Sequence, residues 1–113
     1  MLVELKRLEE AVERFRKAVE YDPNSKDSIT AQCNLALATL HLGNLEEAGR
    51  QYRDAIETAR RLKSPEGLKE NAIEDLEDVL AKKQDLPGGK EMLAMVRRAY
   101  EEMTRPAASG TPA

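Results

Sequence analysis

Apolar residues recur every three or four positions along most of the chain, which is the period of an amphipathic helix. Proline, glycine and small polar residues interrupt this pattern at 22–25, 43–44, 64–65 and 85–89. The pattern therefore predicts five helices, at about 2–21, 28–42, 45–62, 65–83 and 90–103. We expect them to form one helical domain over residues 1–104, followed by a disordered tail at 105–113.

The boundary between the second and third predicted helices has the clearest terminal signals. Gly43 is the residue type expected where a chain turns left-handed after a helix. Asn44 follows as the predicted N-cap of the third helix, with Glu47 three positions on, as in a capping box. Ser28 is the predicted N-cap of the second helix. A connection of about two residues makes the two helices antiparallel.

A short motif occurs twice in the chain. Ala11, Phe15 and Ala18 recur 37 positions later as Ala48, Tyr52 and Ala55, and a Leu-Glu-Glu triplet precedes both copies. Two small residues on one helix face let a second helix approach, and the aromatic residue between them fills the remaining gap. The repetition predicts two equivalent helices that pack in equivalent ways.

The motif and its flanks resemble the tetratricopeptide repeat. Pro23 matches the closing proline of a first unit, and Leu35, Ala36 and Gly43 extend the match over a complete second helix–turn–helix unit. Gln32 stands where the family often has tryptophan. Residues 65–103 depart further from the pattern. The resemblance implies an all-α fold, a right-handed α-solenoid of antiparallel helix pairs.

The resemblance also implies a function, because the leading helix of each unit in this family lines a concave surface that binds peptides. We therefore expect a protein-interaction adaptor that binds a protein or peptide partner. The residues carried over to that surface are Thr30, Cys33, Asn34, Leu37, Leu40 and His41. Two alternatives stay open: Asn34 bridges helices structurally, and Leu37 and Leu40 belong to the core.

The first unit lacks the leading helix that the second unit has, which suggests a second function. The apolar stripe of the first helix would then be partly exposed; it comprises Leu2, Leu5, Leu8, Val12 and Phe15. Burial of such a stripe is worth several kcal/mol at roughly 25 cal/mol per Å². A second copy could cover it in a homodimer, or a partner helix could. The other interpretation is that the chain is part of a longer repeat array.

Charge and cysteine content narrow the class of partner. The net charge of −3 and pI of about 5.3 do not supply the positive field that nucleic acids require. The first residues include charges and form neither a signal peptide nor a membrane span. Cys33 cannot form an internal disulfide, which favours a reducing compartment. We expect a cytoplasmic protein, with the nucleus left open, and neither a nucleic-acid nor a membrane partner.

Residues with catalytic potential do not assemble into a site in this sequence. Cys33 and His41 lie eight positions apart on one predicted helix, about 12 Å along its axis, too far for a nucleophile and its base. One histidine and one cysteine are too few for a metal site. Residues 87–90, Pro-Gly-Gly-Lys, lack most of a phosphate-binding loop and indicate a turn. We expect no enzymatic activity and no cofactor.

Overall fold

The computed structural model describes residues 2–21, 25–82 and 86–105, and the side chains of these residues from Lys6 onwards. Five helical rods make up this part of the chain. They are α1 (Leu2–Tyr21), α2 (Lys26–His41), α3 (Leu45–Leu62), a fourth rod, and α6 (Gly89–Thr104). The fourth rod consists of α4 (Pro65–Leu68), a π turn (Lys69–Ile73) and α5 (Glu74–Lys82) without interruption. The all-α, five-helix prediction is confirmed.

The second helix begins two residues earlier than its sequence signals indicate. The hydroxyl of Ser25, at the N-cap, accepts a hydrogen bond from the backbone N–H of Ser28 at 3.3 Å. The prediction that Ser28 is the N-cap is therefore wrong. Ser28 is instead buried within the first turn, where its own backbone N–H is the donor to the capping hydroxyl.

The connection between α2 and α3 has the predicted left-handed glycine and asparagine cap. Gly43 has φ +87°, and Asn44 Oδ1 accepts a hydrogen bond from the N–H of Glu47 at 3.2 Å. The N–H of Asn44 donates to the carbonyl of Thr39 at 3.3 Å. The carboxylate of Glu47 bonds instead to Arg50 and Gln51. Half of the predicted capping box is thus present, and the short turn sets α2 and α3 side by side.

The core lies around α2, which packs against α1, α3 and the fourth rod. One face of α2 is completely enclosed and carries Ile29, Cys33, Ala36 and Leu40. From α3 the repeated motif meets it with Ala48, Tyr52 and Ala55, all at most 1% exposed. The small residues allow close helix contact and the tyrosine ring fills the space between them.

The last two rods continue this arrangement as a third helix pair. The fourth rod packs beside α2, and α6 packs beside α3 and against the fourth rod. Gly67 permits the close approach to α2, because a Cβ at that position would lie 3.1 Å from Cγ2 of Ile29. In α6, the buried residues Gly89, Leu93 and Val96 have the same spacing as the alanine–aromatic–alanine motif.

The π turn within the fourth rod is a feature that the sequence pattern did not predict. The N–H of Glu74 bonds to the carbonyl of Lys69, five positions earlier instead of four. Within the same stretch, the side-chain nitrogen of Asn71 donates to the carbonyl of Gly67 at 3.0 Å. The wider turn therefore has side-chain support at its start.

The structure covers only the start of the predicted tail, and it bears on the prediction that the chain has no membrane span. Arg105 is extended after the end of α6, and the rest of the predicted disordered tail lies outside the described residues. Among the described residues, no helix combines the length and apolar character needed to cross a bilayer.

Candidate functional site

One partly exposed side of α2 carries four of the six predicted partner-binding residues, of which Leu37 also packs against the core. Thr30, Asn34, Leu37 and His41 are all partly exposed. Their spacing of four, three and four positions aligns them along one side of the helix. We call these four residues the groove strip.

The other two predicted binding residues are not available to a partner. Cys33 and Leu40 are 0% and 1% exposed, so their assignment to the binding surface is corrected here. They lie on the enclosed face of α2. The side chain of Leu40 lies close to Gly88, the residue just before α6. A helix that packs against neighbours on three sides can leave only a narrow stripe exposed. The alternative that Leu37 and Leu40 belong to the core is correct for Leu40, and Leu37 is partly buried and packs against the core.

Burial also determines the chemistry of Cys33. Removal from water, followed by the nearby carboxylate of Asp75, raises the pKa of the thiol to about 12. The thiol is protonated at neutral pH and therefore a poor nucleophile. The hydroxyl of Tyr52, in the same core, has its pKa raised mainly by burial and also by Cys33 and Asp75.

Asp75 brings negative charge from the fourth rod close to this core. Its own pKa is raised above the ordinary value, first by burial and then by the carboxylates of Asp78 and Glu74. Two neighbouring carboxylates of the same rod form surface ion pairs: Glu77 pairs with Arg97 of α6, and Asp78 with Lys82 one turn along the rod. One of these ion pairs links the fourth rod to α6, and the other lies within the rod.

The predicted oligomerisation face on α1 is described in part. Leu8, Val12 and Phe15 are partly exposed, whereas the side chains of Leu2 and Leu5 lie outside the described residues. In the second unit the residue equivalent to Phe15, Tyr52, is 1% exposed. The difference follows from the helices present, because α3 packs against α2, α4 and α6 while α1 packs mainly against α2.

A cavity on the other side of α2 was missed by the sequence reasoning. It measures about 230 Å³ and lies between α1, α2 and α3. Gln32 and Leu35 line it from α2, about 160° around the helix from the groove strip at about 100° per residue. Gln32 occupies a position where tetratricopeptide repeats often have tryptophan. The smaller side chain at this position is the sequence feature that could have predicted a cavity.

The turn at residues 87–90 has a structural role. Gly88 is the N-cap of α6 with φ +79°, and a Cβ there would lie 2.7 Å from Cδ2 of Leu45. Only glycine fits both the left-handed backbone and this contact. Within the described residues, no three histidine, cysteine or acidic side chains cluster as metal ligands.

Comparison with known proteins identifies the repeat. A family model described as the tetratricopeptide repeat matches residues 1–25 and 29–62, together more than half of the chain. No curated protein and no solved structure shows significant similarity to the chain. The second match spans most of α2 and all of α3, the pair with the enclosed motif. The chain therefore belongs to the tetratricopeptide-repeat family, whose repeats generally mediate protein–protein interaction and scaffolding.

Proposed function

We propose that this chain is an adaptor that binds a peptide or helix of a partner protein along the groove strip of α2. The observation that carries the proposal is the strip itself: four aligned, partly exposed residues on a helix that packs against α1, α3 and the fourth rod. A rigid helix held on three sides offers a pre-organised surface, which reduces the entropic cost of binding.

The chemistry of the strip suits a polypeptide ligand. Leu37 offers an apolar contact near its centre, and Thr30, Asn34 and His41 carry side chains that can donate or accept hydrogen bonds. An extended peptide presents backbone amides and carbonyls to such side chains, and a helix presents apolar residues at positions i and i+3 or i+4. An extended peptide and a helix can therefore both bind a strip with an apolar residue near its centre and polar residues on either side.

The test is affinity capture with the full chain, comparing the wild type with the double variant Asn34→Ala/Leu37→Asp. Both residues are partly exposed, but Leu37 also packs against the core, so circular dichroism must first show that the double variant is folded. We expect the variant to lose the proteins that the wild type retains, because a charge then stands at the apolar centre of the strip.

The matched control is Lys90→Ala/Glu91→Asp, two exposed positions on α6. This control should retain the same partners as the wild type. An identical set of captured proteins for the wild type and the groove variant would contradict the choice of site.

The exposed face of α1 supports a second candidate function, structural pairing of two copies. Its apolar residues Leu8, Val12 and Phe15 are partly exposed, whereas Gly49 and Tyr52, the equivalents of the last two in α3, are buried. Light scattering after size exclusion should then show a dimer that Leu8→Asp/Val12→Asp converts to a monomer. A wild-type chain that is monomeric at about 100 μM, well above the Kd of a stable dimer, removes this candidate.

The net charge of −3 and the buried, unpaired Cys33 support two further parts of the proposal. They favour a protein over a nucleic-acid partner and a reducing compartment such as the cytoplasm.

A further inference from the structure

A groove runs between α3 and α6, on a part of the surface that shares no residue with the groove strip. It consists of two hollows of about 280 Å³ and 450 Å³, which adjoin because Arg60 and Glu102 line both. Along α3 it extends from position 53 to position 63, about 15 Å at 1.5 Å per residue. An extended peptide of about five residues spans that length. We call this surface the α3–α6 groove.

The floor of the α3–α6 groove is apolar. Ile56 and Ala99 are 6% and 5% exposed at its base, and the partly exposed side chains of Met95 and Met103 line it from α6. Methionine is flexible and polarisable, so it adapts to apolar side chains of different shapes. A ligand with an apolar residue can therefore bury that residue here.

The charges along the α3–α6 groove are not balanced. Its two carboxylates, Glu57 and Glu102, both pair with the guanidinium group of Arg60, at 3.9 Å and 3.4 Å. Its other charged side chains are three exposed cations, Arg53, Lys63 and Arg98. None of these three side chains forms an ion pair or a hydrogen bond within the described parts of the chain. A carboxylate that enters the groove therefore meets uncompensated positive charge.

The equivalent arginine of the first repeat unit is compensated. Arg16 lies 37 positions before Arg53, and its guanidinium group pairs with Glu13 at 3.2 Å. The residue 37 positions after Glu13 is Arg50, which pairs with other carboxylates of α3. An arginine thus stands where Arg53 would otherwise have an acidic partner. The uncompensated charge is a property of the α3–α6 groove and not of the repeat in general.

Lys63, at one end of the groove, has a backbone conformation that favours glycine. It is the C-cap of α3, with φ +53° in the left-handed region. A residue with a side chain is less stable there than glycine, which is the usual residue at this point. Backbone stability does not explain a lysine at this position, whereas a role in binding does.

We propose that the α3–α6 groove binds an acidic peptide segment of a partner protein. Its carboxylates pair with Arg53, Arg98 and Lys63, and an apolar side chain between them packs on the methionines. A nucleic acid fits less well, because the groove also contains Glu57 and Glu102 and three cations are few for a phosphate backbone. The groove is a second binding surface beyond the one proposed on α2.

The test is an NMR titration of the full chain, ¹³C-labelled in its methionine methyl groups, with a synthetic peptide of about nine residues that repeats Glu-Glu-Leu. We expect saturable shifts of the methyl signals of Met95 and Met103, with a Kd of about 0.1–1 mM for a few exposed ion pairs and one apolar contact. Binding should weaken in about 0.5 M salt, which screens exposed charges. The control peptide, which repeats Gln-Gln-Leu, should bind at least about tenfold more weakly.

The variant Arg53→Gln/Arg98→Gln should weaken binding of the acidic peptide about three- to tenfold, the loss expected for two exposed ion pairs. Both residues are exposed, so its Tm should match that of the wild type. The matched control is Arg14→Gln/Arg16→Gln, which removes the same charge from exposed positions of α1 and should leave the affinity unchanged.

A second variant, Lys63→Gly, separates binding from stability. It should weaken binding about twofold or more, because one cation is lost. It should also raise Tm, because glycine adopts the left-handed backbone more readily than lysine does. A residue with only a structural role would not show these opposite effects.

The groove-strip variant Asn34→Ala distinguishes this inference from the proposed function, because it should leave binding of the acidic peptide unchanged. Four results would overturn the inference: no saturable shift at about 10 mM peptide, well above the expected Kd; equal affinity for the Gln-Gln-Leu peptide; unchanged affinity in both charge variants; or tighter binding of a single-stranded RNA of similar length, which would assign the groove to nucleic acid.

Discussion

The same three-residue motif has different surroundings in the two repeat units. In α3, Ala48, Tyr52 and Ala55 are at most 1% exposed. In α1, Phe15 is partly exposed and Ala18 is exposed. Both motifs lie on helices with matching spacing, so local sequence does not explain the difference. What differs is the set of neighbouring helices, since α3 packs against α2, α4 and α6.

This comparison shows that a repeat motif encodes a surface for packing, and that the neighbouring helices determine whether the surface is buried. Solenoid units contribute stability through the interfaces with their neighbours. The second unit should therefore be the stability centre of the molecule and α1 its weakest helix. The following predictions test that ranking, from the largest expected effect to the smallest.

Truncation of the two aromatic residues should give the largest difference. Tyr52→Ala should lower the free energy of unfolding by about 3–5 kcal/mol, because it leaves a cavity in an enclosed core. Phe15→Ala should cost about 1 kcal/mol, since the ring is only partly buried. Urea denaturation followed by circular dichroism measures both values. Equal costs would show that the motif in α1 is as enclosed as that in α3.

Enlargement of the last alanine of each motif tests the same contrast by overpacking. Ala55→Leu should destabilise the fold by about 1–3 kcal/mol, because Ala55 is 0% exposed and its neighbours must move. Ala18→Leu should change stability by less than about 0.5 kcal/mol, because Ala18 is exposed. The two variants share the same chemistry and are each other's control in thermal unfolding. A destabilising Ala18→Leu would reveal an unrecognised neighbour of α1.

Hydrogen exchange of the unmodified chain should rank the helices directly. Amides in the centre of α1 should exchange about tenfold faster or more than those in the centre of α3, because α1 has fewer enclosing contacts. Mass spectrometry of peptides from each helix after timed exchange gives the ratio. Uniform protection across α1 and α3 would mean that the two units open as one.

The smallest effect concerns the charge of Asp75 beside the enclosed core. Its pKa is raised in the folded state, so folded protein holds this proton more tightly and stability falls as pH rises through the raised pKa. Asp75→Asn should therefore raise Tm at pH 7. The gain in the free energy of unfolding should be less than about 1 kcal/mol, because water screens a partly exposed carboxylate.

The same variant should change stability less at acidic pH, where the wild-type carboxyl is protonated. Glu70→Gln removes one charge at an exposed position of the same rod and is the matched control. Parallel Tm-versus-pH curves for the wild type and Asp75→Asn would contradict this interpretation.

The helices and the repeat were readable from sequence because they depend on local periodicity. Gly43 and Asn44 located the connection between α2 and α3, and the bounds of α3 were predicted correctly, whereas α2 begins two residues earlier than predicted. The binding surface was harder to predict from sequence. Cys33, Leu37 and Leu40 are all apolar residues of α2, and their different burial depends on which helices pack against each side of α2. The third helix pair was ambiguous because Leu93 and Val96 replace the aromatic and the second alanine at the same spacing.

The π turn at Lys69–Ile73 makes the fourth rod one residue longer than its packing requires. Leu68 and Leu76 are both 0% exposed, although eight residues of regular α-helix would set them about 80° apart. The wider turn adds one residue to that turn of the helix, which reduces this angular offset. Deletion of one residue within this turn would leave seven, which an ordinary helix aligns to within about 20°. We therefore expect the rod to tolerate the loss of one residue at this turn better than elsewhere along its length.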